Sequence, residues 1–154
     1  MVRHAEDIHT TAARRLAATG QRYTASRRAI VEVLARAEGP RTLPAILHDD
    51  ASLAQSSAYR NLTELIAADV VHRIVTADEH AHFELAEDLT EHHHHLICTA
   101  CGRVSDFTVR PELEATLDAA LARVARRERF RPDHHRLDLV GRCADCADRA
   151  APRT

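Results

Sequence analysis

The chain contains four cysteines, all in two C-x-x-C pairs: Cys98 with Cys101, and Cys143 with Cys146. Two thiolates at this spacing can turn toward one ion, and a second pair completes a tetrahedral sulfur cage that suits Zn(II). The 41 residues between the pairs mean that the ion ties the start of the second half to its end. Such a closed site is structural and contributes folding free energy. It is needed here, because 154 residues with three Phe, two Tyr and no Trp give each half a thin core. Ligand spacing with no cysteine left over points to metal rather than disulfides. Reduced thiols are expected in the cytoplasm. The first twenty residues carry no apolar segment of a secretory signal, and no run reaches the length of a membrane span.

Charge and ligand-type residues are unevenly placed. The net charge is -2, so any nucleic-acid surface is local. Between Arg14 and Arg36 there are six Arg against one acid, Glu32. Cysteines and most histidines lie beyond residue 80. The N-terminal half is therefore the candidate binding head and the C-terminal half the metal-bearing module. The acidic segment Ala86–Glu91 has no strong periodicity and reads as a hinge. The expected division is 1–85, a hinge at 86–91, 92–148, and a frayed tail at 149–154.

Periodicity supplies the elements. Thr24 can cap a helix whose buried face is Ile30, Val33, Leu34 and Ala37, ended by Gly39-Pro40. Thr42 can cap a short helix through Leu43, Ile46 and Leu47. Ser56 or Ser57 can cap a third, with Ala58, Leu62, Leu65 and Ile66 inward. Val70–Val75 and His80–Leu85 are strand candidates joined by a polar turn at Thr76–Glu79. Three helices and a hairpin are the plan of a winged helix-turn-helix. In the second half, Leu96–Cys98, Arg103–Val109 and Arg136–Gly141 read as strands. Pro111 opens a helix with an apolar stripe of Leu113, Leu117, Ala120, Leu121 and Val124. The class is α+β, with a small C-terminal α/β unit suited to dimerisation.

The run His92-His93-His94-His95 directly precedes the first cysteine pair. Side chains alternate faces on an extended segment, so His93 and His95 point one way and His92 and His94 the other. One run can thus serve two centres. His80, His82 and Glu84 also share one strand face, which makes the two histidines candidate ligands. On the third helix, Tyr59, Arg60 and Thr63 are left outward. Arg there can pair with guanine O6 and N7 and Tyr can pack on a thymine methyl. Ser56 and Ser57 can donate to phosphate, as can Arg14 and Arg15.

The block HHHHLICTACGRVSDF (His92–Phe107), with SSAYRNL and YTASRRAIVEVL, resembles the ferric-uptake-regulator family of metal-dependent bacterial repressors, from about Gly20 to Cys146. The resemblance implies a homodimer that binds palindromic double-stranded operators when loaded with metal. It implies structural zinc on the four cysteines and a regulatory metal on Glu84, His93, His95 and Asp106. It implies a further site on His92, His94, Glu114 and His135, and DNA contacts by Tyr59, Arg60 and Arg27. The position where many members carry a ligand histidine in the head corresponds to Arg41. Zinc-sensing members often use a cysteine near the end of the wing, and none stands here. We therefore expect His82 to supply the missing ligand, since it shares a strand face with Glu84. The nitrogen and oxygen donors suit Zn(II), Fe(II) or Mn(II).

Two other classes compete. A zinc hydrolase would need an open coordination position and a general base, and no H-E-x-x-H or similar spacing occurs. A zinc-stapled adaptor or metal store would need no DNA-reading helix. Neither a membrane nor a small organic substrate is an expected partner.

Overall fold

The computed structural model describes residues 5–76 and 81–150. The expected turn at 77–79 and His80 lie outside the described residues.

The head holds four helices: α1 (Ala5–Ala18), α2 (Ala25–Arg36), α3 (Leu43–Asp49) and α4 (Gln55–Ala67). The first was not foreseen. Apart from alanines its apolar side chains are only Ile8 and Leu16, with Ala12 between them on the same face. Ala12 and Leu16 are fully buried all the same, because they join the apolar cluster built by the other helices and the wing. Gly20 ends it in the left-handed region (φ 74), with the Gln21 N–H donating to the Leu16 carbonyl at 2.8 Å. A glycine tolerates this conformation at no steric cost.

The caps at Thr24 and Thr42 form as expected, accepting from the Arg27 and Ala45 amides. The cap at Ser56 or Ser57 does not. The fourth helix is capped two residues before Ser56, at Ala54, with no side-chain cap. Ser57 sits in its first turn and donates to the Ala54 carbonyl at 3.1 Å.

The wing is the sheet β1 (Arg41–Thr42), β3 (Ala81–Leu85), β2 (Val71–Val75), with both pairings antiparallel. Val71, Phe83 and Leu85 face the helices. Ala86 and Leu89 of the expected linker join that same core, and a 3-10 turn spans Glu87–Leu89.

The second sheet has β4 (His94–Cys98) in the centre, antiparallel to β5 (Val104–Phe107) and parallel to β6 (Asp138–Gly141). Ile74 of the wing packs with Ile97 and Val104 of this sheet, so the halves share a small apolar contact. Helix α5 (Pro111–Arg127) opens with Pro111 in its first turn, and α6 (Ala144–Ala150) follows β6. The stripe of α5 is not buried within one chain: Leu113 is 56% and Val124 45% exposed. Leu139 and Val140 of β6 are exposed as well.

Candidate metal centres and nucleic-acid face

The four cysteines converge at the far end of the second sheet. Cys98 ends β4, Cys101 lies in the turn to β5, Cys143 follows β6, and Cys146 is in the first turn of α6. Gly102, at φ 69, lets that turn close tightly. The Sγ atoms of Cys101 and Cys143 are 3.8 Å apart, and one donor atom from each of the four lies within 4.8 Å of the others. Sulfurs tetrahedrally placed at about 2.3 Å from zinc are about 3.8 Å apart, whereas a disulfide requires about 2.05 Å. The Cys143 N–H donates to Cys98 Sγ at 3.4 Å. With the amides of Cys101 and Ala100 it pulls the Cys98 thiol down to about 6, so this ligand is readily ionised. The neighbouring thiols of Cys143 and Cys101 push Cys146 up to about 12. A cation resolves that crowding.

A second group, Glu84, His93, His95 and Asp106, gathers donor atoms within 4.8 Å. Glu84 comes from the wing strand β3 and the other three from the core. Its Oε2 lies 3.1 Å from His93 Nε2 and 3.0 Å from His95 Nε2. Asp106 Oδ2 is 4.0 Å from His93 Nε2. The outer ring nitrogens are occupied: His93 Nδ1 faces the Glu91 carbonyl at 2.8 Å, and His95 Nδ1 faces Asp138 Oδ1 at 3.2 Å. Donating Nδ1–H outward leaves both Nε2 lone pairs inward, the tautomer a metal requires. Burial pushes the Glu84 carboxyl up, but the hydrogen bonds from His93 and His95 outweigh it and hold the group down at about 2. The Glu84 hydrogen bond raises His93 to about 9. Burial raises Asp106.

The third group uses the opposite face of the histidine run. Glu114, in the first turn of α5, stands 3.0 Å from each of His92 Nε2, His94 Nε2 and His135 Nε2. His92 Nδ1 meets Glu87, and His135 Nδ1 is 3.3 Å from Asp118 Oδ1. The His94 hydrogen bond lowers the Glu114 carboxyl.

The structure does not bring His82 to either group. It is buried on β3 opposite Ile74 and Thr42. Its spacing from Glu84 is that of His93 from His95, yet its ring is turned into the wing's packing and joins none of the groups of converging ligand atoms among the described residues. Arg41 is ion-paired to Asp49 at 2.5 Å. Asp138, Glu87 and Asp118, which orient ligand histidines, were missed. They follow no ligand spacing and are adjacent only through the packing of β6, the 3-10 turn and α5.

On α4, Tyr59 is 63% exposed and Arg60 is also exposed, while Ala58, Leu62 and Leu65 are buried. Two other candidates fall away. Arg27 is buried, donating to Asn61 Oδ1 at 3.3 Å, Gln21 Oε1 at 3.0 Å and the Arg22 carbonyl. It braces α2 against α4 instead of facing outward. Arg15 is held by the Asp69 carbonyl and the Asp88 carboxylate, so its charge is already matched. Arg14 is exposed on α1. No helix among the described residues is long and apolar enough to cross a membrane.

Residues 18–140 match the Ferric uptake regulator family. The chain is 32% identical to the ferric uptake regulation protein of Legionella pneumophila over 102 residues, 66% of this chain and 70% of that one. It is 28% identical to the peroxide-responsive repressor PerR of Staphylococcus saprophyticus, over 84% of this chain and 85% of that one. The fold superposes on that of the Helicobacter pylori ferric uptake regulator, described as having three functional metal binding sites. The TM-score is 0.71 at 24% identity, covering 94% of this chain and 95% of the other. The chain belongs to the ferric uptake regulator family of metal-responsive transcriptional regulators.

Proposed function

We propose that this chain is a repressor that binds palindromic operator DNA as a homodimer when a regulatory divalent metal occupies Glu84, His93, His95 and Asp106. The observation that carries this reading is the seat of Glu84: a wing carboxylate 3.0 to 3.1 Å from two core imidazoles. An ion shared by these groups binds best when the wing lies against the core, so it shifts the population toward that arrangement. By reciprocity, operator DNA tightens the metal, with a coupling of about 1–3 kcal/mol, roughly 5–150-fold in affinity.

Zn(II) is the reading for the Cys98, Cys101, Cys143 and Cys146 cage. The group of His92, His94, Glu114 and His135 holds a further divalent ion; the relative from Helicobacter pylori with its three metal sites supports three here. The regulatory donors suit Fe(II), Mn(II) or Zn(II). The uncovered apolar residues of α5 and β6 supply the surface for a second copy of the chain. Residues 1–85 form the head, 86–91 the hinge and 92–148 the dimerising module, with Tyr59, Arg60 and Ser57 turned to the DNA and Arg14 contacting phosphate. Four cysteines kept for metal and a DNA target support a cytoplasmic location. A metal store or adaptor is not favoured, and no catalytic step is assigned.

Binding to the chain's own promoter, measured with Zn(II), Fe(II), Mn(II) and Ni(II) in parallel while the cysteine cage stays loaded, tests this reading. Specific binding is expected to rise with one of these ions. Equal binding with the regulatory group empty and filled overturns it.

A further inference from the structure

The loop that joins α2 to β1 carries Gly39 up to the regulatory group. A Cβ placed on Gly39 would stand 3.6 Å from Oδ1 and 3.7 Å from Oδ2 of Asp106. Gly39, Glu84, His93 and Asp106 line one cleft of about 540 Å³ between head and core. The head thus meets this group at two places. At Glu84 it brings a carboxylate, and at Gly39 it brings no side chain. Nearby head residues do not make up the difference. Among the described residues the donors that converge here are Glu84, His93, His95 and Asp106. Arg41 is turned to Asp49. Glu38 lines the cleft, but it is exposed and stands outside the converging group.

Neither the backbone nor the packing requires a glycine at this position. Gly20 and Gly102 lie in the left-handed region and Gly39 does not. Neighbours at 3.6 to 3.7 Å from a Cβ are at ordinary van der Waals distance. A side chain would even lower the conformational entropy lost on folding, which is greatest for glycine. What the missing side chain decides is the number of donors. An ion about 2.1 Å from Asp106 Oδ1 lies within about 6 Å of the Cβ position. An imidazole or a carboxylate on residue 39 would span that gap.

We propose that Gly39 is a metal-selectivity determinant of the regulatory centre: by bringing no side chain it holds the protein's shell to two imidazoles and two carboxylates, and so favours Zn(II) over Fe(II) and Mn(II). This rests on the reading of Glu84, His93, His95 and Asp106 as the regulatory group. Zn(II) has no geometric preference from its d electrons and is satisfied by four protein donors. Two carboxylates also balance its charge. Mn(II) favours six donors, mostly oxygen, and Fe(II) likewise fills positions beyond four. With Gly39 in place, those ions must take their remaining ligands from water in the cleft. A donor on residue 39 would serve them more than it serves Zn(II).

The test uses Co(II), whose visible absorption is intense with four donors and weak with six. It is added without DNA to the full-length chain with zinc in the cysteine cage. Each spectrum is taken as the difference from a Glu84→Ala counterpart, which isolates the regulatory centre from the group at Glu114. The parent chain and Gly39→Ala are expected to give the same intense four-donor band. Gly39→His is expected to weaken that band, and in anaerobic competition titrations to raise affinity for Fe(II) relative to Zn(II) at least tenfold. Gly39→Asp, with a smaller side chain, carries the same expectation for the band should the histidine disturb folding. A weak six-donor band in the parent overturns the proposal, as does a Gly39→His chain indistinguishable from Gly39→Ala. A band that intensifies in Glu38→Ala would make Glu38 a fifth donor and overturns it too. In each of these cases the ion still depends on Glu84, so the regulatory reading stands. A spectrum with no dependence on Glu84 overturns both.

Discussion

The Nε2 atom of His95 lies 3.0 Å from Oε2 of Glu84, and this separation joins the central strand of the core sheet to the central strand of the wing. Each residue is anchored on its own side. Glu84 pairs with His72 across the wing, and His95 lies between Asp106 and Asp138 across the second sheet. The contact is thus a junction between two rigid sheets, where a single ion has the greatest leverage over their relative position.

Removing that junction uncouples sensing from binding. Glu84→Ala is expected to lose the metal-dependent part of DNA affinity, roughly 5–150-fold, and to leave the cysteine-bound zinc in place. Metal-titrated fluorescence anisotropy on operator DNA, with zinc counted separately, checks this. Retention of the full metal response in Glu84→Ala would show that the wing is held by other ligands.

The same junction predicts two pH dependences. In the metal-free site, Glu84 raises His93 from 6.5 to about 9. This ion pair stabilises the fold fully below about 6.5, and that contribution is lost as pH rises through about 9. Glu84 itself drops from 4.5 to about 2, so its contribution is present above about 4.5 and lost as pH falls through about 2. Unfolding by urea, with the cysteine cage loaded, is expected to show this contribution at its greatest between about 4.5 and 6.5. Metal must displace the His93 proton, so regulatory metal affinity is expected to climb with pH up to about 9, by about tenfold per unit for each proton released.

Two arginines close in sequence to the DNA-reading helices are expected to behave differently. Arg27→Ala leaves the Gln21, Arg22 and Asn61 acceptors without their donor, and is expected to cost about 1–3 kcal/mol of stability. Arg60→Ala, at an exposed position, is expected to leave the melting temperature unchanged and to cost about 1–3 kcal/mol on operator DNA. Thermal melts and competition against random DNA separate the two. An equal loss on both DNAs for Arg60→Ala would remove it from base reading.

The uncovered stripe of α5 makes an assembly prediction. Leu121 and Val124 are 37% and 45% exposed in one chain, and a second copy would bury them. Leu121→Asp places a charge in that seam, where desolvation without a partner is costly. Sedimentation is expected to show monomers at concentrations where the parent chain is dimeric, with the cysteine-bound zinc retained. A dimer of unchanged strength would move the interface elsewhere.

Residue type and spacing alone determined a good part of this molecule. The two C-x-x-C pairs prescribe a four-sulfur cage because thiolate geometry is local. The alternation of His92 to His95 prescribes two ligand faces because strand side chains alternate wherever a strand forms. Thr24 and Thr42 mark helix starts because a cap is a contact over three residues. Tertiary structure decided what depends on distance through space. Helix α1 is fixed by packing that a face of Ile8, Ala12 and Leu16 in an alanine-rich stretch does not announce. His82 shares a strand face with Glu84, yet it is buried within the wing and joins no ligand group. Arg27 lies in a basic stretch and points inward, because Gln21, Arg22 and Asn61 meet there. Asp138, Glu87 and Asp118 set the tautomers of ligand histidines from distant elements. Local chemistry can be read from neighbours in the chain, whereas long-range partners are chosen by the packing of whole elements.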